Sequence, residues 1–155
     1  NRGTLIFAGN GGSTAITHHA SCDYGKGLYR NFNGKLNAVA LGANIPLTFA
    51  ISNDFGFNNI FVAEFDMLQK TESDLVVLVS SSGNSENIMR LNDAAQKLGL
   101  KTIGLTGFTG GRLRKECDFN FHVQSEVYTI VELIHQTILD MVFMELFTDQ
   151  PSDNY

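Results

Sequence analysis

Apolar and polar residues alternate along this chain in two different patterns. Short, nearly continuous apolar runs predict β-strands, and longer segments in which apolar residues recur every three or four positions predict amphipathic helices. The predicted strands are residues 4–8, 36–41, 74–79, 101–106 and 118–123, with residues 46–51 as a further strand or an extension of the second. The predicted helices are the segment carrying His18, His19 and Asp23, then residues 58–69, 86–98 and 127–147, with a short helical piece starting at residues 109–111.

This alternation of strands and helices predicts an α/β fold. Strand–helix–strand units with short connections give a parallel sheet covered by helices on both faces. We expect a three-layer αβα sandwich with a mostly parallel five-stranded sheet, of the flavodoxin-like or Rossmann-like kind. Residues 1–150 are expected to form a single domain, followed by a polar tail at residues 151–155. Because the chain leads at once into a buried strand, we expect an amino-terminal helical segment before residue 1.

Size and charge narrow the classes of function. The 155 residues are 43% hydrophobic, which is enough for one domain with a substantial core. A net charge of −5, with 11 Lys and Arg residues thinly spread, argues against a nucleic-acid partner. No apolar run has membrane-spanning length, which argues against a membrane protein. Cys22 and Cys117 lack metal-binding spacing and are typical of buried thiols in a reducing cytoplasm.

The run Ser80-Ser81-Ser82-Gly83-Asn84-Ser85, here called the serine loop, is the most informative stretch. It follows a predicted strand and precedes a predicted helix, so hydroxyl groups, free backbone N–H groups and the positive end of a helix dipole converge there. The loop has no lysine and lacks the spacing of a nucleotide-binding P-loop. It indicates a site for a small phosphorylated molecule. The alternative is a plain serine N-cap with polar turn residues.

A second loop of the same design, Gly9-Asn10-Gly11-Gly12-Ser13, follows the first strand and is here called the glycine loop. Its glycines allow positive φ angles and close approach to a ligand. It does not meet the dinucleotide-binding pattern, because Thr14 stands where a third glycine is needed, so we expect no nucleotide cofactor. Two such loops favour ligand binding over turn chemistry. The candidate binding residues are Asn10, Gly11, Gly12, Ser13, Ser80, Ser81, Ser82 and Ser85.

Titratable residues on two predicted helices are the candidates for chemistry. His19 and Asp23 are four apart and share one face of the first helix. Glu132 and Asp140 share a side of the last helix, and His135 follows Glu132 by three positions. Such carboxylates could exchange a substrate proton in an enolisation, or hold a divalent metal together with histidine. The alternative is satisfied core histidines and solvated acids.

The polar stretch at residues 52–59 is predicted to be a loop at the same edge of the sheet. Asn53 or Asp54 could cap the helix that follows. Both side chains could equally bind the hydroxyl groups of a sugar.

Taken together, the glycine loop, the block Asn53-Asp54-Phe55-Gly56-Phe57 and the serine loop followed by Asn87 resemble the SIS (sugar isomerase) domain family. The resemblance covers nearly the whole chain, from Leu5 to Leu146. Within the family it is similar to bacterial phosphoheptose isomerases, which interconvert sedoheptulose 7-phosphate and D-glycero-D-manno-heptose 7-phosphate. The resemblance implies a phosphosugar substrate, an αβα fold and an amino-terminal helical segment.

The resemblance also implies roles for individual residues. Phosphate binding is implied for Ser80, Ser82 and Ser85, with Ser81 where a threonine is common, and for Ser13 of the glycine loop. Sugar contacts are implied for Asn53 and Asp54.

Departures from the family pattern concern the catalytic positions. His19 matches a metal-binding histidine, and Asp23 replaces the family's glutamate base with a side chain one methylene shorter. Glu132 and Asp140 replace a glutamine ligand and a histidine that is both ligand and acid, whereas His135 matches a second family histidine. The implied catalytic set is Asp23, Glu132, His135 and Asp140, and the implied metal set is His19, Asp23, Glu132 and Asp140. This oxygen-rich set is less selective for Zn²⁺ over other divalent metals.

Two functions compete at this stage. The first is a cytoplasmic phosphosugar aldose–ketose isomerase that works through an enediol intermediate. The second is a non-catalytic phosphosugar sensor or partner-binding regulator, as in relatives that act in replication initiation. Retention of polar residues at every altered position favours the isomerase. The apolar circumference of the last helix, together with the assemblies of related SIS proteins, predicts a homo-oligomer, with a tetramer as the expected form.

Overall fold

Five parallel strands form the central sheet of the structure, a computed structural model in which residues 3–31 and 36–147 are described. The strands are β1 (Gly3–Gly9), β2 (Leu36–Ala40), β3 (Leu75–Ser80), β4 (Lys101–Thr106) and β5 (Phe119–His122). The helices are α1 (Gly12–Asn31), α2 (Ile45–Phe55), α3 (Ile60–Met67), α4 (Glu86–Lys97), α5 (Leu113–Glu116) and α6 (Tyr128–Phe147), with a 3₁₀ turn at Phe57–Asn59. The predicted tail at residues 151–155 and the predicted segment before residue 1 lie outside the described residues.

The strand order places the two predicted loops side by side. The sheet runs β2-β1-β3-β4-β5, and every neighbouring pair is parallel. The chain leaves β1 toward β2 on one side of the sheet, whereas β3 lies on the other side, so the order reverses between β1 and β3. Ligands of open parallel sheets bind at such a reversal, beyond the carboxyl ends of the strands. The predicted fold class is confirmed, and both loops occupy this position.

Two apolar cores, one on each face of the sheet, establish the three layers. Successive strand residues point to opposite faces. Ile6, Val76 and Leu78 pack on one face against α2, α3, α4 and α5. Phe7, Val77 and Val79 pack on the other face against α1 and α6. Strands that are buried on both faces explain the nearly continuous apolar runs in the sequence.

The prediction of a strand at residues 46–51 is wrong, because these residues form the middle of α2. Asn44 caps this helix by accepting a hydrogen bond on Oδ1 from the backbone N–H of Leu47 at 3.2 Å. Pro46 lies in the first turn, where its missing N–H leaves no helical bond unmade. A short apolar run does not by itself distinguish a strand from a buried helix.

The same helix removes most of the loop predicted at residues 52–59. α2 continues to Phe55 and ends at Gly56, whose φ of +84° is accessible to glycine. The helix predicted at residues 58–69 is the 3₁₀ turn at Phe57–Asn59 followed by α3. The role of Asn53 or Asp54 as an N-cap is therefore also wrong, since both lie within α2.

The last helix, α6, carries more apolar surface than the described residues cover. Val131, His135 and Leu139 are buried against the rest of the domain. Exposed apolar side chains occupy much of the rest of its circumference: Ile130, Leu133, Ile134, Met141, Val142, Met144 and Leu146. None of the helices in the described ranges combines the length and the apolar character needed to cross a membrane.

The loop that follows β4 and begins at Gly107 holds the serine loop in place. The backbone N–H of Gly107 donates to the carbonyl of Ser81 at 2.9 Å, and the N–H of Leu113 donates to the carbonyl of Gly83 at 3.0 Å. Gly83 has a φ of +64°, and a Cβ atom at this position would collide with the backbone carbonyl of Gly110. The conformation of the serine loop therefore depends on a glycine at position 83.

Substitution of Gly83 by alanine should destabilise the protein more than an alanine at another left-handed glycine. Gly99 is the matched control, because it has a φ of +75° and a Cβ there would meet nothing within 4 Å. Positive φ costs alanine about 1–2 kcal/mol at either site. The collision at Gly83 should add about 1–3 kcal/mol. Urea unfolding of Gly83→Ala and Gly99→Ala measures both losses, and equal losses would contradict the packing of the two loops.

Candidate active site

A cleft of about 280 Å³ opens where the serine and glycine loops meet, here called the loop cleft. Eight of the ten residues that the sequence predicts for substrate binding line it, together with three that it does not predict for that role. The predicted residues are Asn10, Gly11, Gly12, Ser13, Ser80, Ser81, Ser82 and Ser85, and the additional ones are Val79, Tyr128 and Glu132. The structure therefore brings the two loops into one cavity.

The loop cleft offers hydroxyl groups and helix N-termini to a ligand. α1 begins at Gly12 and α4 begins at Glu86, so the positive ends of two helix dipoles lie beside the cleft. The Oγ atom of Ser81 is buried and has no hydrogen-bond partner among the described residues. A buried hydroxyl without a partner costs about 1–3 kcal/mol. The hydroxyl groups and helix N-termini beside the cleft have the chemistry of an oxyanion site.

A reciprocal pair of amides ties the two loops together. The Nδ2 of Asn10 donates to Oδ1 of Asn87 at 2.8 Å, and the Nδ2 of Asn87 donates to Oδ1 of Asn10 at 3.0 Å. Asn87 is 1% exposed, so this contact is shielded from competing water. The sequence identified Asn87 only as part of a motif. The pairing could not be predicted, because the two residues are 77 positions apart.

A second cavity of about 550 Å³ lies between α1 and α6, here called the helix cleft. It is lined by Gly12, Ala15, Ile16, His19, Glu132, Gln136 and Asp140. Glu132, Gln136 and Asp140 are spaced four apart and therefore form one stripe along α6, about 12 Å long at 1.5 Å per residue. Gly12 and Glu132 line both cavities. The two clefts are thus adjacent parts of one furrow.

Two residues of the helix cleft, His19 and Asp140, form a group with Asp23 that has the composition and spacing of a metal site. The ligand atoms of His19, Asp23 and Asp140 all lie within 4.8 Å of one another. The Nε2 of His19 lies 3.0 Å from Oδ2 of Asp23. Asp140 also accepts a hydrogen bond on Oδ1 from Nε2 of Gln136 at 2.6 Å. One imidazole and two carboxylates fit Zn²⁺, Mn²⁺ or another divalent ion.

Tyr24 fixes α1 against α6 next to this group. Its hydroxyl donates a hydrogen bond to the backbone carbonyl of Leu139 at 2.8 Å, one residue before Asp140. Burial, and after it the negative charge of Asp140, raise the pKa of the Tyr24 phenol. The phenol therefore stays protonated and keeps its role as donor. This contact determines how closely His19 and Asp23 on one helix approach Asp140 on the other.

Glu132 lies apart from the three-residue group, although the sequence predicts it as a fourth ligand. A Cβ atom at Gly12 would lie 2.5 Å from both carboxylate oxygens of Glu132, so the carboxylate sits directly against the first residue of α1. The positive end of the α1 dipole stabilises a negative charge there. Its position between the two clefts makes Glu132 a candidate for contact with a ligand that spans both.

His135 does not reach either cleft. Its side chain is 0% exposed, and neither ring nitrogen has a hydrogen-bond partner of good geometry among the described residues. Burial lowers the pKa of the imidazole, its interaction as a donor to the backbone carbonyl of Thr106 opposes this effect, and the charge of His122 adds a smaller lowering. The ring is therefore held neutral beneath α6. A catalytic role for His135 remains a prediction that this geometry does not favour.

Asn53 and Asp54 also lie away from the two clefts. They form part of the last turn of α2, and both are exposed. The Nδ2 of Asn53 donates to Oδ1 of Asp54 at 2.9 Å. Neither residue lines the loop cleft or the helix cleft. Their contact with a sugar remains a prediction.

Comparison with known proteins identifies the family. A model described as the SIS domain matches residues 1–107. The chain belongs to the SIS domain family. The resemblance stated from the sequence motifs is therefore confirmed.

Individual relatives within the family are phosphoheptose isomerases. The enzyme of Nitratidesulfovibrio vulgaris is 37% identical over 134 residues, which cover 86% of this chain and 64% of that protein. The enzyme of Aliarcobacter butzleri is 33% identical over 150 residues, which cover 94% and 78%. The solved structure of phosphoheptose isomerase from Neisseria gonorrhoeae matches with a TM-score of 0.82 and 27% identity, covering 96% of this chain and 77% of that one. The chain thus spans just under two-thirds of the length of the first of these relatives.

Divalent metal should raise the melting temperature of the protein, and His19→Ala should abolish the rise. A ligand that binds only the folded state stabilises it by about 2.7 kcal/mol at 100 times its Kd. The measurement is a calorimetric scan with Zn²⁺ or Mn²⁺ against a chelator. His18→Ala is the control, because His18 neighbours His19 and is not part of the group. Equal metal-induced shifts in the two variants would rule out the proposed site.

Proposed function

We propose that this protein is a phosphosugar aldose–ketose isomerase that converts sedoheptulose 7-phosphate to D-glycero-D-manno-heptose 7-phosphate. One observation carries the proposal. A furrow joins the loop cleft, which is lined by serine hydroxyls and helix N-termini, to a group of His19, Asp23 and Asp140 at its other end. An isomerase of phosphorylated sugars needs both features, because the phosphate identifies the substrate and the distant end of the sugar reacts. The names of the relatives support the same activity.

The loop cleft is proposed to bind the phosphate through hydroxyl and backbone N–H groups. Among the residues lining this cleft, Glu132 alone carries a charge, so the site has no lysine or arginine to attract the phosphate dianion. The dipoles of α1 and α4 and the hydroxyls of the serine loop take that role. Binding energy from this remote group positions the carbon atom that loses its proton.

Proton transfer is proposed to occur at the carboxylates of the furrow. Isomerisation removes a proton from the carbon next to the carbonyl, forms an enediol and returns a proton to the neighbouring carbon. Asp23 is the leading base by its match to the family glutamate, and Glu132 lies closer to the loop cleft. Asp140 is the candidate for the proton on oxygen. A divalent ion, when bound by His19, Asp23 and Asp140, would supply polarisation of the carbonyl.

The assembly and location complete the proposal. Seven large apolar side chains of α6 are exposed, which supports a homo-oligomer that covers them, with a tetramer as the proposed form. The prediction of two buried thiols is wrong, because Cys22 is exposed and Cys117 is half-buried. Both are nevertheless free thiols, which supports a reducing compartment such as the cytoplasm. Net negative charge supports a small-molecule partner rather than a nucleic acid.

The test separates binding from chemistry with two variants. The protein is incubated with sedoheptulose 7-phosphate, with and without Zn²⁺, and the aldose product is followed by NMR. Asp23→Asn should lower turnover at least about 100-fold while phosphosugar affinity is retained, because an amide cannot accept the substrate proton. Ser80→Ala combined with Ser82→Ala should lower the affinity at least about tenfold, because two hydrogen bonds to a phosphate dianion are lost.

Two controls make the result specific. Asparagine keeps a ligand oxygen at position 23, so the metal-induced shift in melting temperature of Asp23→Asn shows whether a metal is still held. Ser73→Ala, an exposed serine before β3 at the opposite end of the sheet, should change neither turnover nor affinity. Phosphosugar binding without turnover in the wild-type protein would contradict the isomerase and favour the sensor.

A further inference from the structure

Tyr128 is an aromatic residue in a cleft that otherwise consists mainly of glycines and small polar side chains. It is the first residue of α6 and lines the loop cleft together with the serine and glycine loops. Glu132 follows four residues later on the same face of the helix and lines the cleft as well. The two side chains therefore mark a path from the loop cleft toward the helix cleft. The Tyr128 ring flanks the beginning of this path.

The Tyr128 ring is supported by Phe108. Their ring centroids are 4.6 Å apart, and the ring planes are inclined by 57°. Tilted aromatic pairs at this distance attract each other beyond the effect of burial alone. The phenol side chain is 58% exposed, so one part of it packs on Phe108 while another part remains available to a ligand.

Phe108 occupies a strained backbone conformation. Its φ of +50° makes it the only non-glycine residue with positive φ among the described residues. Such a conformation is a genuine outlier for a bulky residue and persists only where surrounding contacts impose it. The contacts here are hydrogen bonds from the N–H of Phe108 to the carbonyl of Ser125 at 2.9 Å and from the N–H of Gly107 to the carbonyl of Ser81 at 2.9 Å. In this conformation the Phe108 ring lies against Tyr128.

The loop that follows β4 therefore positions both the serine loop and the aromatic pair of Phe108 and Tyr128. Gly107 holds the backbone of Ser81, and the next residue, Phe108, holds the Tyr128 ring. A shift of this loop would move both sides of the cleft together. The distance between the phosphate-binding hydroxyls and the Tyr128 ring is thus built into the fold.

We propose that Tyr128 is a specificity-determining residue for the sugar part of the substrate, and that Phe108 is its positioning residue. This inference rests on the proposed function and assigns the wall of the same site. The Tyr128 ring packs against the carbon chain next to the phosphate, and its hydroxyl forms a hydrogen bond with a hydroxyl group of the sugar. The phosphate itself is bound by the serine loop. Tyr128 therefore discriminates a polyhydroxylated phosphosugar from bare phosphate.

The experiment compares two probes, inorganic phosphate and sedoheptulose 7-phosphate, by calorimetric titration. Tyr128→Phe should weaken phosphosugar binding about three- to tenfold, the effect of one neutral hydrogen bond, and leave phosphate binding unchanged. Tyr128→Ala should weaken it further, since the wall is lost. Equal losses for both probes would overturn the inference by making Tyr128 a phosphate ligand. Unchanged phosphosugar binding in Tyr128→Ala would overturn it as well.

The role of Phe108 is tested through Tyr128. Phe108→Leu should raise the KM for the phosphosugar with little change in kcat. Phe108→Tyr, which keeps an aromatic ring at this position, should have the KM of the wild-type protein. In the Tyr128→Ala background Phe108→Leu should have no further effect on KM, because coupled residues are not additive. Additive effects in the double variant would overturn the positioning role.

The wild-type protein distinguishes failure of this inference from failure of the proposed function. Turnover of the phosphosugar by the wild type, with unchanged KM in Tyr128→Ala, would overturn the role of Tyr128 alone. Absence of phosphosugar binding in the wild type would overturn both. Melting temperatures of the variants identify any loss that arises from unfolding.

Discussion

The parallel pairing of β1 with β3 is the constraint on which the rest of the site depends. Its register aligns Gly9 with Val79, so the two strands end at the same level. The glycine loop and the serine loop, which follow these strands, therefore lie side by side. Because the strand order reverses here, α1 continues on one face of the sheet and α4 on the other. The N-termini of both helices are thereby left facing a common space. A phosphate-sized anion can be held in that space without a cationic side chain.

The distribution of charge along the furrow follows from this arrangement. Three acidic residues match catalytic or metal-binding positions of the family: Asp23 on α1, and Glu132 and Asp140 on α6. Asp23 and Asp140 do not line the loop cleft, whereas Glu132 does. A carboxylate beside a bound phosphate dianion is unfavourable, and the N-terminus of α1 offsets part of that repulsion at Gly12. The family has a neutral glutamine at the position of Glu132. In the proposed function, an acid here would add a proton-transfer group that the family pattern lacks at this point, and its charge would weaken phosphate binding.

The fold and the loops could be predicted because their signals are local. Buried parallel strands give continuous apolar runs, and strand–glycine or strand–serine–helix junctions give the loop cleft with eight of the ten residues predicted for substrate binding. Features that depend on how elements pack could not be predicted in this way. The apolar run at residues 46–51 is compatible with both helix and strand, and the cap at Asn44 decides it. Spacing along α6 placed Glu132 with Asp140, yet its packing against α1 puts Glu132 at Gly12 and Asp140 beside His19. Burial of His135 and the pairing of Tyr128 with Phe108 depend on the same packing.

A crystal structure of the protein with sedoheptulose 7-phosphate tests the central claim most directly, namely that one ligand occupies the furrow from end to end. We expect the phosphate oxygens within hydrogen-bond distance of the serine-loop residues Ser80, Ser82 and Ser85, which line the loop cleft. We expect the carbonyl end of the sugar to extend past Glu132 toward His19, Asp23 and Asp140. A phosphate bound outside the serine loop, or a sugar directed away from the helix cleft, would contradict the account.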